Sequence, residues 1–250
     1  MEKIDLAIFK DAKSPVAEAF RTIRTNLQFS GVDQELKVVE VTSAVPNEGK
    51  STVAANLAIV MAQSGKKVLL MDCDMRNPTQ HKLLGLANRG VSNCLATGND
   101  FHEYIQHIEQ ETLDILVSGP VAPNPSELLM SNRMQALLEA ARKEYDFILI
   151  DTPPVLLVTD AAALSSKTDG VALVVASGQE KPEMIQKAQT LLEQAGARIL
   201  GGIMNKVNVG AGRYGYGSHY GYGYGYGYGY GYYYGRKEEK RQTSEGDQSL

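Results

Sequence analysis

Short apolar runs of five to eight residues recur along the chain and alternate with longer stretches of helical periodicity. Several of these runs are continuously apolar and rich in Val, Ile and Leu, as in strands that are buried on both faces of a parallel sheet. The runs predict six strands, at 37–43, 67–72, 113–118, 147–151, 170–177 and 200–207. The intervening stretches predict helices at 51–64, 124–144, 157–166 and 182–195. This order predicts an α/β fold with a doubly wound, mostly parallel sheet and helices on both faces.

A further helix, over residues 14–30, is predicted before the first strand. Ser14 is a preferred N-cap residue, and Pro15 suits the first helical position because its φ angle is already helical. Helical spacing places three large apolar residues on one stripe, Phe20, Ile23 and Leu27. The sequence therefore predicts that this helix is amphipathic.

The composition changes abruptly after about residue 209. Eleven of the thirteen tyrosines lie beyond this point, at Tyr214, Tyr216, Tyr220, Tyr222, Tyr224, Tyr226, Tyr228, Tyr230, Tyr232, Tyr233 and Tyr234. Glycine at nearly every second position of Gly221–Gly235 prevents close packing and raises the entropic cost of order. We therefore predict a folded domain over 1–209 and a disordered, flexible tail over 210–250.

The overall charge and the cysteine content exclude several classes of protein. A net charge of −4 and a pI near 5.6 give no general attraction to nucleic acid or to an acidic membrane surface. The two cysteines, Cys73 and Cys94, form no C-x-x-C pair, which excludes a cysteine-only zinc or iron–sulfur site and suggests a reducing compartment. Residues 1–15 contain no apolar segment of a signal peptide, and the apolar stretch 53–62 is too short to span a membrane. We therefore expect a cytoplasmic chain.

The segment Thr42–Thr52, TSAVPNEGKST, leaves the first predicted strand and enters a helix, and it matches the P-loop pattern. Ala44 stands where the first glycine usually lies, but the backbone N–H groups and the helix N-terminus still form an anion cradle. In such a loop the lysine, Lys50, reaches the β- and γ-phosphates, and the hydroxyl of Ser51 binds Mg²⁺. The residues expected to contact a nucleotide here are Asn47, Glu48, Gly49, Lys50, Ser51 and Thr52.

Carboxylates follow two other predicted strands. VLLMDCDMR contains Asp72 and Asp74, and FILIDTPP contains Asp151. Because ligands bind at the carboxyl ends of strands in open parallel sheets, these acids should lie close to the nucleotide. Their hard oxygens suit Mg²⁺, which needs few direct protein ligands. Cys73 alternates away from the two acids that flank it and is expected to pack against the sheet.

Together these motifs resemble those of the bacterial tyrosine kinases, the BY-kinase family, which share the P-loop NTPase class of ParA and MinD. The segments Asp72–Arg76 and Asp151–Pro154 resemble the family's Walker A′ and Walker B motifs. The C-terminal tail resembles its tyrosine cluster, although the cluster here is longer and more regular. The helix before the first strand resembles the family's ExxRxxR oligomerisation motif, through Glu18, Arg21 and Arg24.

The resemblance implies an ATP-dependent protein-tyrosine autokinase with ATP and Mg²⁺ as cofactors, and the catalytic residues would be Lys50, Asp72, Asp74 and Asp151. Asp72 would accept the proton of the attacking tyrosine or align its hydroxyl. Asp74 and Asp151 would hold Mg²⁺ through its waters, and Ser51 would be a direct ligand. The residues alone leave open whether Asp72 and Asp74 exchange these roles.

Two further residues are candidates for the nucleotide site. Arg76 either orients Asp74, contacts phosphate or is a simple surface arginine. Asn205, at the end of the last predicted strand, lies where relatives contact the adenine base.

The resemblance also implies partners. Each tail would be phosphorylated by a neighbouring subunit of a homo-oligomeric ring, built through Glu18, Arg21 and Arg24, although their spacing also fits an intrahelical charge pair. The cytoplasmic segment of a separate transmembrane activator would recruit the chain to the inner face of the cell membrane, and a phosphotyrosine phosphatase would reverse the modification. The family's usual setting is capsule or exopolysaccharide synthesis and export.

Two other functions fit part of the sequence. The first is a ParA/MinD-like ATPase whose tail mediates assembly, but Val45 lies where those proteins carry an additional lysine. The second is a nucleic-acid or condensate module, in which tyrosines stack on bases. That function favours interleaved arginines, whereas Arg213 and Arg236 only bracket the tyrosines. We therefore expect no nucleic-acid partner.

Overall fold

The computed structural model describes residues 6–31, 35–108 and 113–207. Within these ranges seven strands form a single sheet: β1 (Val38–Ser43), β2 (Val68–Asp72), β3 (Gln106–His107), β4 (Leu113–Leu116), β5 (Phe147–Asp151), β6 (Gly170–Ala176) and β7 (Ile199–Asn205). Their order across the sheet is β3-β4-β2-β5-β1-β6-β7. All neighbouring strands are parallel except β3, which runs antiparallel to β4.

The helices connect the strands in the order that a doubly wound fold requires. The described residues contain α1 (Ala7–Lys10), α2 (Pro15–Ser30), α3 (Lys50–Ala62), α4 (Gln80–Leu84), α5 (Val91–Thr97), α6 (Pro125–Met130), α7 (Asn132–Glu144), α8 (Asp160–Ser165) and α9 (Pro182–Gln194). A short 3-10 helix covers Phe101–Tyr104. The N-cap predicted for α2 is present, since the Ser14 hydroxyl accepts a hydrogen bond from the N–H of Ala17 at 3.1 Å.

The core has a layer on each face of the sheet. Alternate residues of β1 face opposite layers, so that Val39 and Val41 pack in the layer of α3, and Val38 packs in the layer that contains α7. Helix α3 is buried from Val53 to Ala62 and contacts β1, β2, β5 and α2. Because α3 has no solvent-facing side along this length, it fixes the P-loop that precedes it.

The predicted fold class is confirmed, and all six predicted strands are present within two residues. The interpretation of 124–144 as one helix is wrong, because the helical conformation is interrupted at Ser131 between α6 and α7. The backbone there is extended, and the Ser131 hydroxyl accepts the N–H of Met134 at 3.2 Å and so caps α7. The two-residue strand β3 was not predicted. The predicted tail, residues 210–250, lies outside the described residues.

Within the part of the chain that the structure describes, no helix combines the length and the apolar character that crossing a bilayer requires.

Candidate nucleotide and metal site

The turn between β1 and α3 has the backbone that a phosphate-binding loop needs. Asn47 and Gly49 both have positive φ angles, of 66° and 90°, and the first helical residue is Lys50. A Cβ atom on Gly49 would lie 2.2 Å from Nδ2 of Asn205. The loop therefore favours glycine at this position for its φ angle, and the Asn205 side chain would also have to move to admit a Cβ atom.

Glu48 stabilises this loop from the inside. Its buried carboxylate accepts the N–H of Val45 at 3.0 Å and the N–H of Ala176 at 3.1 Å, which ties the loop to the end of β6. The amide of Asn205 donates to the carbonyl of Glu48 at 2.8 Å, and the ammonium of Lys206 donates to the carbonyl of Asn47. The C-terminal ends of β6 and β7 thus both hold the loop.

Lys50 lies among the acidic strand ends. Its Nζ is 2.8 Å from Oδ2 of Asp74, 3.6 Å from Oδ1 of Asp151 and 3.3 Å from Oγ of Ser51. Burial lowers the pKa of the Lys50 ammonium, but Asp151 and Asp74 outweigh it, and the net direction is upward. The lysine therefore remains charged at neutral pH. Thr52, the next residue but one, is exposed.

Asp72 is fully buried at the end of β2 and accepts three backbone N–H groups. Oδ1 accepts from Asp74 at 3.0 Å, and Oδ2 accepts from Thr79 at 3.2 Å and from Gln80 at 3.1 Å. Burial, followed by the charge of Asp151, raises the pKa of the Asp72 carboxyl to about 8. Its side chain therefore fixes both the loop after β2 and the start of α4.

Asp74 and Asp151 differ in their surroundings. Asp74 accepts the N–H of Asn77 at 3.0 Å in addition to its bond with Lys50. Asp151 is fully buried, and its Oδ2 accepts from Nε2 of Gln80 at 2.9 Å. Burial raises the pKa of the Asp151 carboxyl against the opposing effect of Lys50. Asp74 and Asp151 therefore contact Lys50, and Gln80 of α4 donates hydrogen bonds to both Asp72 and Asp151.

Arg76 forms its ion pair with Asp160 rather than with the acids beside Lys50. Its guanidinium binds the buried carboxylate of Asp160 with two hydrogen bonds, of 2.9 Å and 3.0 Å, at the start of α8. The hydroxyl of Ser126 on α6 also donates to this carboxylate. Asp160 and Ser126 were not predicted from the sequence, since an Asp in a helical first turn is common on any helix. The guanidinium joins the loop after β2 to α6 and α8.

The predicted oligomerisation residues lie on α2. Arg21 Nη1 is 2.8 Å from Oε2 of Glu18, and the Glu18 side chain is 69% exposed. Arg24 donates to the carbonyl of Val60 in α3 at 3.0 Å, so it contributes to packing within the chain. The tail tyrosines, Tyr214 to Tyr234, lie outside the described residues. Tyr104 and Tyr145, the two tyrosines before the tail, are buried.

The oxygen-bearing side chains at the site are of the type that binds Mg²⁺, either directly or through its water ligands. Within 6–31, 35–108 and 113–207, no three His, Cys, Asp or Glu side chains converge as a complete metal-ligand cluster. Mg²⁺ does not require one, because it retains several waters and binds few carboxylates directly. Oδ1 of Asp151 is buried and has no hydrogen-bond partner among the described residues. Ser51 supplies a hydroxyl and Asp151 supplies this oxygen, which are ligands of the required type.

The fold and the site define the class of protein: a P-loop nucleotide-binding protein. The family model of the AAA domain matches residues 16–193. The septum site-determining protein MinD of Pyrococcus horikoshii OT3, solved with Mg-ADP, superposes with a TM-score of 0.58 at 25% identity, covering 71% of this chain and 72% of MinD. The predicted class of fold is thereby confirmed.

Two tyrosine kinases of this class are much more similar to the chain than MinD is. The tyrosine-protein kinase YwqD of Bacillus subtilis is 45% identical over 208 residues, which cover 82% of this chain and 88% of YwqD. The kinase domain of the Escherichia coli tyrosine kinase ETK superposes with a TM-score of 0.81 at 37% identity, covering 90% of this chain and 86% of that domain. The chain belongs to the family of bacterial tyrosine kinases, and the predicted enzyme class is confirmed at the level of the family.

Proposed function

We propose that the chain is an ATP-dependent autokinase that phosphorylates the C-terminal tyrosines of neighbouring subunits. The observation that carries the proposal is the convergence of the P-loop lysine with two acidic strand ends, since Lys50 lies within 3.6 Å of both Asp74 and Asp151. Eleven tyrosines follow in the same chain. A phosphate site and an acceptor are therefore both encoded in one polypeptide.

Phosphoryl transfer requires mainly positioning and stabilisation of charge. The N–H groups of the loop around Gly49 and the N-terminus of α3 bind the phosphates, and the ammonium of Lys50 stabilises charge on the β- and γ-phosphates. Ser51, Asp74 and Asp151 would hold Mg²⁺, which neutralises phosphate charge when it is bound. The contact of Asn205 with Glu48 brings β7 to the loop, on the side where the base would bind.

The acceptor hydroxyl has its own requirement. A tyrosine has a pKa near 10 and is a poor nucleophile at neutral pH until its proton is accepted. Asp72 accepts this proton in its ionised form, which is a minor form at pH 7 because the pKa of its carboxyl is raised to about 8, or it aligns the hydroxyl. Three N–H donors hold this side chain, which leaves one of roughly four acceptor positions open. Asp74 is the alternative base, and its bond with Lys50 favours a role beside the phosphates instead.

A ring of subunits would bring each tail to the next active site, with the exposed Glu18 and the half-buried Arg21 at the contact. Each added phosphate brings about −1.5 to −2 charges, so a modified tail is repelled by the acids of the site and by other modified tails. A transmembrane activator would recruit the ring to the membrane, a phosphatase would reset it, and capsule or exopolysaccharide synthesis and export would be regulated in this way. This setting rests on the family resemblance.

The experiment is intact-mass spectrometry of phosphatase-treated protein after incubation with Mg-ATP. Wild type should gain a ladder of phosphates that maps to Tyr214–Tyr234. Lys50→Met and a chain ending at residue 209 should gain none. If the purified chain is inactive alone, the cytoplasmic peptide of a membrane activator is added.

ATP hydrolysis is measured in the same samples. Hydrolysis without phosphate addition, even with the activator peptide, would overturn the kinase proposal and favour the ATPase with an assembly tail. Asp72→Asn and Asp74→Asn are compared in parallel for their effects on turnover and on nucleotide affinity. Substitution of the proton acceptor should reduce turnover and leave nucleotide affinity unchanged, whereas substitution of the metal-holding residue should reduce both.

A further inference from the structure

Gln80, the first residue of α4, connects the three predicted motifs of the site. Its side chain is fully buried. Its Nε2 donates to the backbone carbonyl of Ser51 at 3.0 Å and to Oδ2 of Asp151 at 2.9 Å, and its backbone N–H donates to Asp72. One residue thus contacts the helix that follows the P-loop and the acidic ends of β2 and β5.

The two partners of Nε2 fix the orientation of the amide. Both the carbonyl of Ser51 and the carboxylate of Asp151 are acceptors, so a flipped amide would place an oxygen against two oxygens. The carbonyl oxygen Oε1 therefore occupies the other position. It is buried and has no hydrogen-bond partner among the residues that the structure describes. Oδ1 of Asp151 is also buried without a hydrogen-bond donor in the described part of the chain, although the ammonium of Lys50 lies 3.6 Å from it.

A buried acceptor of this kind requires a donor. Mg²⁺ retains most of its waters in protein sites, and those waters donate hydrogen bonds to surrounding groups that orient the metal and its ligands. Ser51 and Asp151, the two residues that the Gln80 amide contacts, are the residues assigned to the metal. Oε1 belongs to the amide that contacts both of these residues, and a water ligand of the metal is a donor of the kind that it lacks among the described residues.

We propose that Gln80 is a positioning residue for Mg²⁺: Nε2 holds the carboxylate of Asp151, and Oε1 accepts a hydrogen bond from a water ligand of the metal. The inference rests on the proposed nucleotide and metal site. It assigns to Gln80 a role in metal affinity and in the orientation of Asp151, without direct contact with the metal or the phosphates.

The test measures Mg²⁺ affinity separately from activity. A fluorescent ADP analogue is bound to the protein, Mg²⁺ is titrated, and the dissociation constant of Mg²⁺ is obtained together with the metal-free affinity for the analogue. Gln80→Met and Gln80→Leu keep the volume but remove both polar atoms. We expect Mg²⁺ to bind about 10–100-fold more weakly, as for other residues that support metal ligands, with a metal-free nucleotide affinity within about twofold of wild type.

The controls separate the inference from the proposed function. Gln135→Met changes an exposed amide of α7 in the same way and should leave both affinities unchanged. In an Asp151→Asn background, Gln80→Met should weaken Mg²⁺ binding little further, because Gln80 acts on the metal by holding Asp151. If wild type shows no Mg²⁺ dependence, the proposed metal site is wrong; if wild type shows it and both Gln80 variants equal wild type, the inference about Gln80 is wrong.

Both variants have to fold for this test, and a measurement on wild type covers the case in which they do not. The ¹³C shift of the Gln80 side-chain carbonyl should move when Mg²⁺ is added to the ADP complex, and it should not move when ADP is added alone. A carbonyl shift that is indifferent to Mg²⁺ would overturn the inference.

Discussion

Glu40 is a charged residue type in a strand that is buried at every residue. It lies in β1, between β5 and β6, and its side chain is fully buried. Oε1 accepts from the Thr152 hydroxyl at 2.8 Å, and Oε2 has no hydrogen-bond partner within the described ranges. Burial raises the pKa of the Glu40 carboxyl from its ordinary value of 4.5 to about 8, and the Thr152 hydrogen bond opposes this only in part. The residue is therefore neutral in the folded protein at pH 7.

A raised folded-state pKa makes stability fall with pH. Between the unfolded pKa near 4.5 and the folded pKa near 8, the unfolded chain releases the Glu40 proton while the folded chain keeps it. Glu40→Gln should remove this contribution, so its free energy of unfolding should exceed that of wild type by an amount on the order of a few kcal/mol near pH 8 and much less near pH 5. Urea denaturation across this pH range measures the difference. Glu183→Gln, an exposed position, is the control, and equal curves for Glu40→Gln and wild type would contradict the prediction.

The pair of Arg76 and Asp160 permits a second prediction about single residues. Arg76→Met leaves the buried Asp160 carboxylate with only the Ser126 hydroxyl, and it should cost about 1–3 kcal/mol. The value is below that of a fully buried pair because the Arg76 side chain is 42% exposed and water reaches it. Adding Asp160→Asn should recover part of the loss, which a double-mutant cycle of denaturation midpoints measures. Purely additive effects, with a loss of nucleotide affinity for Arg76→Met, would instead indicate that Arg76 contacts phosphate.

At the scale of elements, the loop between β1 and α3 depends on its single glycine, Gly49. Gly49→Ala introduces a Cβ at a φ angle of 90° and at 2.2 Å from the Asn205 amide. Strain of this kind costs on the order of 1–3 kcal/mol, so the variant should bind ADP about tenfold or more weakly. Gly65→Ala is the matched control, because it has a φ angle of 83° and nothing within 4 Å of its Cβ. It should lose about 1 kcal/mol of stability and keep its ADP affinity, as measured by calorimetric titration.

The helices and strands show which features could be predicted from the sequence and which could not. Continuous apolar runs and the P-loop spacing were sufficient to predict six strands, their parallel sheet and a P-loop at the same sheet edge as two acidic strand ends. Ser131 was missed because an apolar pattern continues through it, although a serine followed by a helical pattern is an N-cap signal. Gln80 and Asp160 could not be predicted, since their roles depend on contacts between residues 71 and 84 positions apart in the chain. A glutamine or an aspartate in a first helical turn has no sequence signal that distinguishes such a role.

At the scale of the whole molecule, the sheet gathers the site from distant parts of the chain. Because β1, β2 and β5 are adjacent and parallel, the P-loop and both acidic strand ends open at one edge. The ends of β6 and β7 complete the loop through Glu48 and Asn205. The described domain supplies each of these groups from one subunit. In the proposed reaction a tyrosine has to reach this edge of the sheet, and its delivery by a second subunit can be tested by mixing chains.

The proposed transfer between subunits predicts complementation between two inactive chains. Lys50→Met with an intact tail cannot transfer phosphate, and the chain ending at residue 209 has no tail to modify. Mixed with Mg-ATP, they should produce phosphate on the Lys50→Met chain alone, which intact-mass spectrometry distinguishes by mass. Arg21→Glu in both chains should reduce the yield several-fold by placing like charges at Glu18, whereas Lys187→Glu on the exposed face of α9 should not. Phosphate on wild type but none in the mixture would mean that each tail reaches the active site of its own chain, because the ring model requires the acceptor and the catalytic lysine to come from different subunits.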